Sequence, residues 1–125
     1  MTTALVATFL FLHGLVHLPV WLAQDDRNEP FDPRHSWPLA TAGLPQARVV
    51  SSAAVGLASV TTILYVIAGA ATAAQSSGWA TAAILAASVG LVLKALWFNP
   101  WLSLGVLLDA GVITAVLMSW PASLY

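Results

Sequence analysis

Four residues in this 125-residue chain have the types and spacing to do chemistry inside an apolar environment. His13 and His17 stand four apart, with Gly14 between them, so on a helix both imidazoles share one face. Lys94 and Asp109 are the other two ionisable residues set within long apolar stretches. Two imidazoles and a carboxylate, His13, His17 and Asp109, form the donor set of a divalent transition-metal site. Lys94 works against that reading, because a fixed cation competes for Asp109 and repels a metal. With Lys94 included, the same residues compose a proton or ion pathway, or a structural ion pair joined by interhelical hydrogen bonds to the histidines. A bis-histidine haem would need a ligand facing the pair, and only His35 remains for it. No serine or threonine carries an adjacent base, no glycine-rich phosphate cradle is visible, and cysteine is absent, so thiol chemistry and disulfides are excluded.

The elements that must hold these residues are four apolar runs, roughly 4–23, 49–74, 79–98 and 101–120. Each is near the ~20 residues that cross hydrocarbon at 1.5 Å per residue. The chain is 59% hydrophobic and 7% charged, more apolar surface than one small soluble core can hide. The expected fold is therefore all-α: an integral membrane four-helix up-and-down bundle, a single transmembrane domain over 1–125. The tight connections Gln75-Ser76-Ser77-Gly78 and Asn99-Pro100 make neighbouring helices antiparallel. The first run reads as a retained helix, since Met1-Thr2-Thr3 lacks the basic residues of a secretory leader. The segment 24–48 carries Pro30, Pro33, Pro38 and Pro45, which prevent a regular helix, and Phe31 and Trp37, which suit a headgroup layer. Its Asp25, Asp26, Arg27, Glu29, Asp32, Arg34 and His35 do not follow a calcium-loop pattern and read as a solvated loop.

Positive charge sets the orientation. Arg27, Arg34, Arg48 and Lys94 fall on one side of such a bundle, and the other side has no lysine or arginine. The loop 24–48 and the Asn99-Pro100 turn are thus expected in the cytoplasm, with both termini outside, in a plasma (inner) membrane. Counting inward from that side places His13 at about 15 Å, His17 at about 9 Å, Lys94 at about 6 Å and Asp109 at about 12 Å. The four occupy one slab, and the long lysine stem reaches deeper than its backbone. Gly14, Gly90 and Gly105 each lie within one turn of an ionisable residue and let another helix approach. Ser52, Gly56, Ser59 and Thr62 give helix two a small-residue face of the kind that packs. Pro19 removes a helical hydrogen bond to Leu15 and is expected to bend helix one there.

The stretch Leu12-His13-Gly14-Leu15-Val16-His17-Leu18 resembles the first-helix signature, HG-(L/I/V)-x-H, of a group of small four-helix bacterial membrane proteins without an assigned activity. Trp97, Gly105 and Asp109 are similar to a later tryptophan, glycine and asparagine of that group, with a carboxylate here in place of the carboxamide. The resemblance implies a fold and no reaction. Three roles stand open. The first is a non-enzymatic accessory or binding subunit of a larger membrane complex or a homo-oligomer, holding no cofactor. The second is a self-contained proton-coupled, ion or small-molecule transporter, and the third a metal-dependent membrane enzyme. The lipid bilayer is the expected partner, and a net charge of -1 argues against nucleic acid.

Overall fold

The computed structural model describes residues 1–22, 36–43 and 47–125. Among them the secondary structure is helical throughout, in five α-helices and two short 3-10 turns: α1 (Thr2–Trp21), α2 (Trp37–Thr41), α3 (Ala47–Ala73), α4 (Trp79–Leu96) and α5 (Ser103–Leu117). Four stretches, all but α2, are long and apolar enough to cross a membrane. Phe31, His35 and the charged residues from Asp25 to Arg34 lie outside the described residues.

α1 packs along α3, α3 along α4, and α4 along α5, which makes a helical bundle with α3 and α4 at its centre. The buried positions explain this order. Ala54, Ala58, Thr61, Tyr65, Ala68 and Thr72 form a stripe on α3, and Ala83, Ala86, Ala87 and Gly90 form one on α4. Small side chains at helical spacing bring two backbones close enough for dispersion to act between them. The core has two layers: Leu10, Tyr65, Trp79 and Val112 near one end, and Trp21, Val50, Leu93, Trp97 and Leu102 near the other. In the second layer the Trp21 and Trp97 rings meet edge to face at 6.1 Å.

Helix ends differ from the sequence expectation by at most three residues, with identifiable causes at the later ends. The third long helix stops at Leu96 rather than 98, because Asn99 precedes a proline and is extended (φ -145°, ψ 139°). The Asn99 side chain accepts from the Trp101 amide and starts the turn Pro100–Leu102, so the α-helix proper begins at Ser103 rather than 101. It ends at Leu117 instead of 120: Ser119 takes a left-handed φ of 52° and the Trp120 amide returns to the Ala115 carbonyl. The end of α3 repeats that motif, with Gln75 at φ 54° and the Ser76 amide donating to Ala71. Pro19 does not interrupt α1, which continues to Trp21 with the Leu22 amide bonded to Leu18.

The small-residue face expected on helix two needs correction. Ser52 and Gly56 are exposed, and a Cβ at Gly56 would meet nothing within 4 Å. Of that set only Thr62 is buried, and it donates to the Gly14 carbonyl at 3.0 Å. The packed face lies a residue or two away, on the Ala54–Ala58–Thr61 line. The short α2 has a separate task. Ser36 Oγ donates to the Leu96 carbonyl at 2.5 Å and Trp37 Nε1 to the Ala95 carbonyl at 2.8 Å, which satisfies two of the orphan acceptors at the C-terminus of α4.

Candidate functional site

Four helices converge on one carboxylate. Asp109, on α5, is fully buried, and its Oδ1 accepts from His13 Nε2 of α1 at 2.8 Å and from the Tyr65 hydroxyl of α3 at 2.5 Å. Its Oδ2 accepts from Lys94 Nζ of α4 at 2.7 Å. Lys94 also donates to His17 Nε2 at 2.8 Å and reaches the Gly90 carbonyl at 3.5 Å. His17 Nδ1 lies 2.8 Å from the His13 carbonyl one turn earlier. His13, His17, Lys94 and Asp109 therefore form one continuous network, with every member at least nine-tenths buried.

Hydrogen-bond logic assigns the protons. A carbonyl can only accept, so His17 carries its proton on Nδ1, and its Nε2 is the acceptor for the lysine ammonium. A carboxylate accepts from both His13 and Tyr65, so each of these donates. These bonds are consistent with Asp109 anionic, Lys94 cationic and the His17 imidazole neutral, so that the lysine and aspartate charges cancel. Among the described residues, no buried side-chain nitrogen or oxygen lacks a partner. This completeness matters energetically, since an unpaired buried charge costs several kcal/mol.

The ring geometry holds the imidazoles in place. His13 stacks on Phe9 at 5.6 Å and meets Tyr65 edge to face at 4.8 Å, while His17 meets His13 edge to face at 5.1 Å. Glycines supply the space. A Cβ at Gly90 would stand 2.5 Å from Asp109 Oδ2, and one at Gly105 would stand 2.6 Å from Lys94 Cε. Each ionisable residue of the pair thus sits on the glycine of the opposite helix. A Cβ at Gly14 would stand 2.5 Å from Tyr65 Cβ, so that glycine sets the approach of α1 to α3.

Tyr65 is the site residue that sequence reasoning missed. Its signal was available: a phenol in the middle of an apolar run needs a hydrogen-bond partner when buried, and Tyr65 lies three residues after Thr62 on the same face. His13, His17 and Asp109 do present ligand atoms within 4.8 Å of one another. In the observed arrangement, however, the Lys94 ammonium stands between Asp109 and His17, bonded to both. It is the cation these donors hold.

One wall of the cluster is open. A cavity of about 350 Å³ is bounded by α1 and α5, with His13, His17, Lys94 and Gly105 on its polar side and Trp21 and Leu108 among its apolar lining. A second, apolar cavity of about 420 Å³ lies between the same two helices, shares Leu108 with the first and has Trp79 and Trp120 in its lining. Compared with protein-family models, curated proteins and solved structures, the chain matches none of them.

Proposed function

We propose that this chain is an integral membrane protein, a four-helix up-and-down bundle of the plasma membrane with the loop 24–48 in the cytoplasm and both termini outside. Its role is that of a non-enzymatic accessory or binding subunit, working with a larger membrane complex or with further copies of itself. The observation that carries this reading is the network in which the Asp109 carboxylate is paired with Lys94 and bonded by His13 and Tyr65 within the chain, bordering a cavity on one side. A network whose carboxylate oxygens are already committed recognises and positions a neighbour more readily than it activates a nucleophile.

A second reading, proton-coupled transport, draws support from a separate feature. His13, Asp109, Lys94 and His17 form an unbroken chain of hydrogen bonds between groups that can exchange protons. A pH-sensitive dye inside liposomes holding the purified protein would respond to an imposed gradient under this reading and stay silent under the first.

The deciding experiment for the binding role is native mass spectrometry of gently extracted protein beside its Asp109→Asn variant. Wild type should carry a second protein or a bound small molecule. A variant that still inserts should lose it, because a carboxamide nitrogen facing Lys94 sets donor against donor. Bare chain of identical mass from both would refute the reading.

A further inference from the structure

Among the described residues, α1 and α5 lack the extensive packing seen between α1 and α3, α3 and α4, and α4 and α5. α1 packs on α3 and α5 packs on α4, whereas both cavities lie where α1 and α5 face each other, meeting at Leu108. The Leu108 side chain lines both, and we take them as the two arms of one trough, with Trp21 and Trp101 in one arm and Trp79 and Trp120 in the other. It is apolar along its length except at one place, where His13, His17 and Lys94 form its floor. Such a shape takes a long apolar molecule with one polar group, and each cavity falls within the ~300–1,000 Å³ typical of small-molecule sites.

The chemistry of that floor selects the polar group. Asp109 cancels the charge of Lys94, and His17 has both ring nitrogens engaged. What the cluster retains is one loosely held donor, the third N–H of Lys94, which has only the Gly90 carbonyl at 3.5 Å, beside the second ring nitrogen of His13, which lines the same cavity. An ammonium hydrogen at that distance is under-satisfied and can accept a better partner. A carboxylate or phosphate head would supply an acceptor but bring a charge that nothing on the floor compensates, at high cost in an apolar trough. A neutral ester head supplies a carbonyl acceptor for Lys94 without a charge, and its hydroxyls can meet the second ring nitrogen of His13.

We infer that the trough between α1 and α5 binds a neutral single-chain lipid whose carbonyl head hydrogen-bonds Lys94 beside His13 and His17 and whose chain lies along Leu108 toward Trp120. The inference rests on reading the network as a binding element within a membrane, and it adds the class of ligand and its route, laterally between two helices. A polar group offered at the floor and an apolar path leading to it are both required.

The probe is a monoacylglycerol brominated at mid-chain, titrated into phosphatidylcholine nanodiscs holding the full chain, with tryptophan fluorescence as readout. Trp79, Trp101 and Trp120 line the trough, so a bound brominated chain quenches them. Saturable quenching is expected, displaced by unlabelled 1-oleoylglycerol, with the equally brominated fatty acid at pH 8 at least about tenfold weaker because its anion stays uncompensated. Leu108→Phe at the junction of the cavities and Ala115→Phe in the apolar arm should each weaken binding about tenfold. Leu117→Phe, on the exposed face, should leave it unchanged. If one trough variant misfolds, the other carries the test.

Absence of saturable quenching, equal binding of the fatty acid, or unchanged binding in both trough variants would overturn the inference. So would cysteine cross-links joining α1 of one copy to α5 of another, since a second copy would then fill the trough. Failure here is distinguishable from failure of the binding role: a mass difference between wild type and Asp109→Asn would persist if only the ligand class were wrong.

Discussion

Replacing Gly90 by alanine should break the Lys94–Asp109 pair while leaving both charges in the chain. The new methyl would stand 2.5 Å from Oδ2 and 3.1 Å from Cγ of Asp109 and would need 3.4 Å for ordinary contact. The carboxylate cannot swing aside, because Oδ1 is held by His13 at 2.8 Å and Tyr65 at 2.5 Å, and Oδ2 by Lys94 at 2.7 Å. At least one of these charge-assisted bonds must lengthen past usefulness, at about 1.5–3 kcal/mol each, and overpacking adds about 1–3 kcal/mol. Alanine returns up to about 1 kcal/mol through helix propensity, so the net loss should be roughly 3 kcal/mol. The matched control is Gly56→Ala, where a Cβ meets nothing within 4 Å and only the propensity gain remains. Gly105→Ala should fall between them, since its methyl presses on the methylene stem of Lys94, which can bend. The assay is reversible SDS-induced unfolding in mixed micelles, followed by tryptophan fluorescence. If Gly90→Ala were as stable as Gly56→Ala, the seating of Asp109 against α4 would be wrong, and with it the geometry of the site.

Other outcomes follow from the same arrangement. Tyr65→Phe keeps the ring against His13 but removes one donor from Asp109; it should cost about 1.5–3 kcal/mol in the same unfolding assay, and no change would remove Tyr65 from the network. Lys94→Ala vacates the place between Asp109 and His17, so the variant should take up about one Zn²⁺ per chain on His13, His17 and Asp109, while wild type excludes it. Elemental analysis of the purified proteins measures this, and equal metal in both would show that the ammonium does not guard the site. A reporter fused after Tyr125 should be active outside the cytoplasm, and activity inside would reverse the proposed orientation.

The sequence made the long helices legible because their apolar runs exceed what any other element requires, and it placed four ionisable residues in one slab by counting helical rise. What it could not reveal were the pairings. Gly90 precedes Lys94 by four residues and Gly105 precedes Asp109 by four, which points to each glycine serving its own neighbour. In the structure each serves the residue across the interface, a matter of interhelical register that one-dimensional spacing does not contain. Tyr65 was missed for a related reason: its phenol in the run Ile63-Leu64-Tyr65-Val66-Ile67 calls for a partner when buried, but the run does not say which group on another helix supplies it. Ser36 and Trp37, which close the end of α4, lay in a segment whose prolines pointed away from any helix, whereas Pro38 sits in the first turn of the short α2, where no amide hydrogen is needed.

The reciprocal seating of Lys94 and Asp109 also bears on how the protein is made. The two residues are only 15 positions apart, on consecutive helices joined by a short turn. On the proposed membrane placement, either residue entering lipid alone would cost about 2.5–3.5 kcal/mol. A hairpin that pairs them before release from the translocon avoids both costs. α4 and α5 should therefore partition as one unit, and a nascent-chain force profile should show a single late pull for the pair. Two separate pulls would mean that the charges find each other only after each helix has crossed on its own.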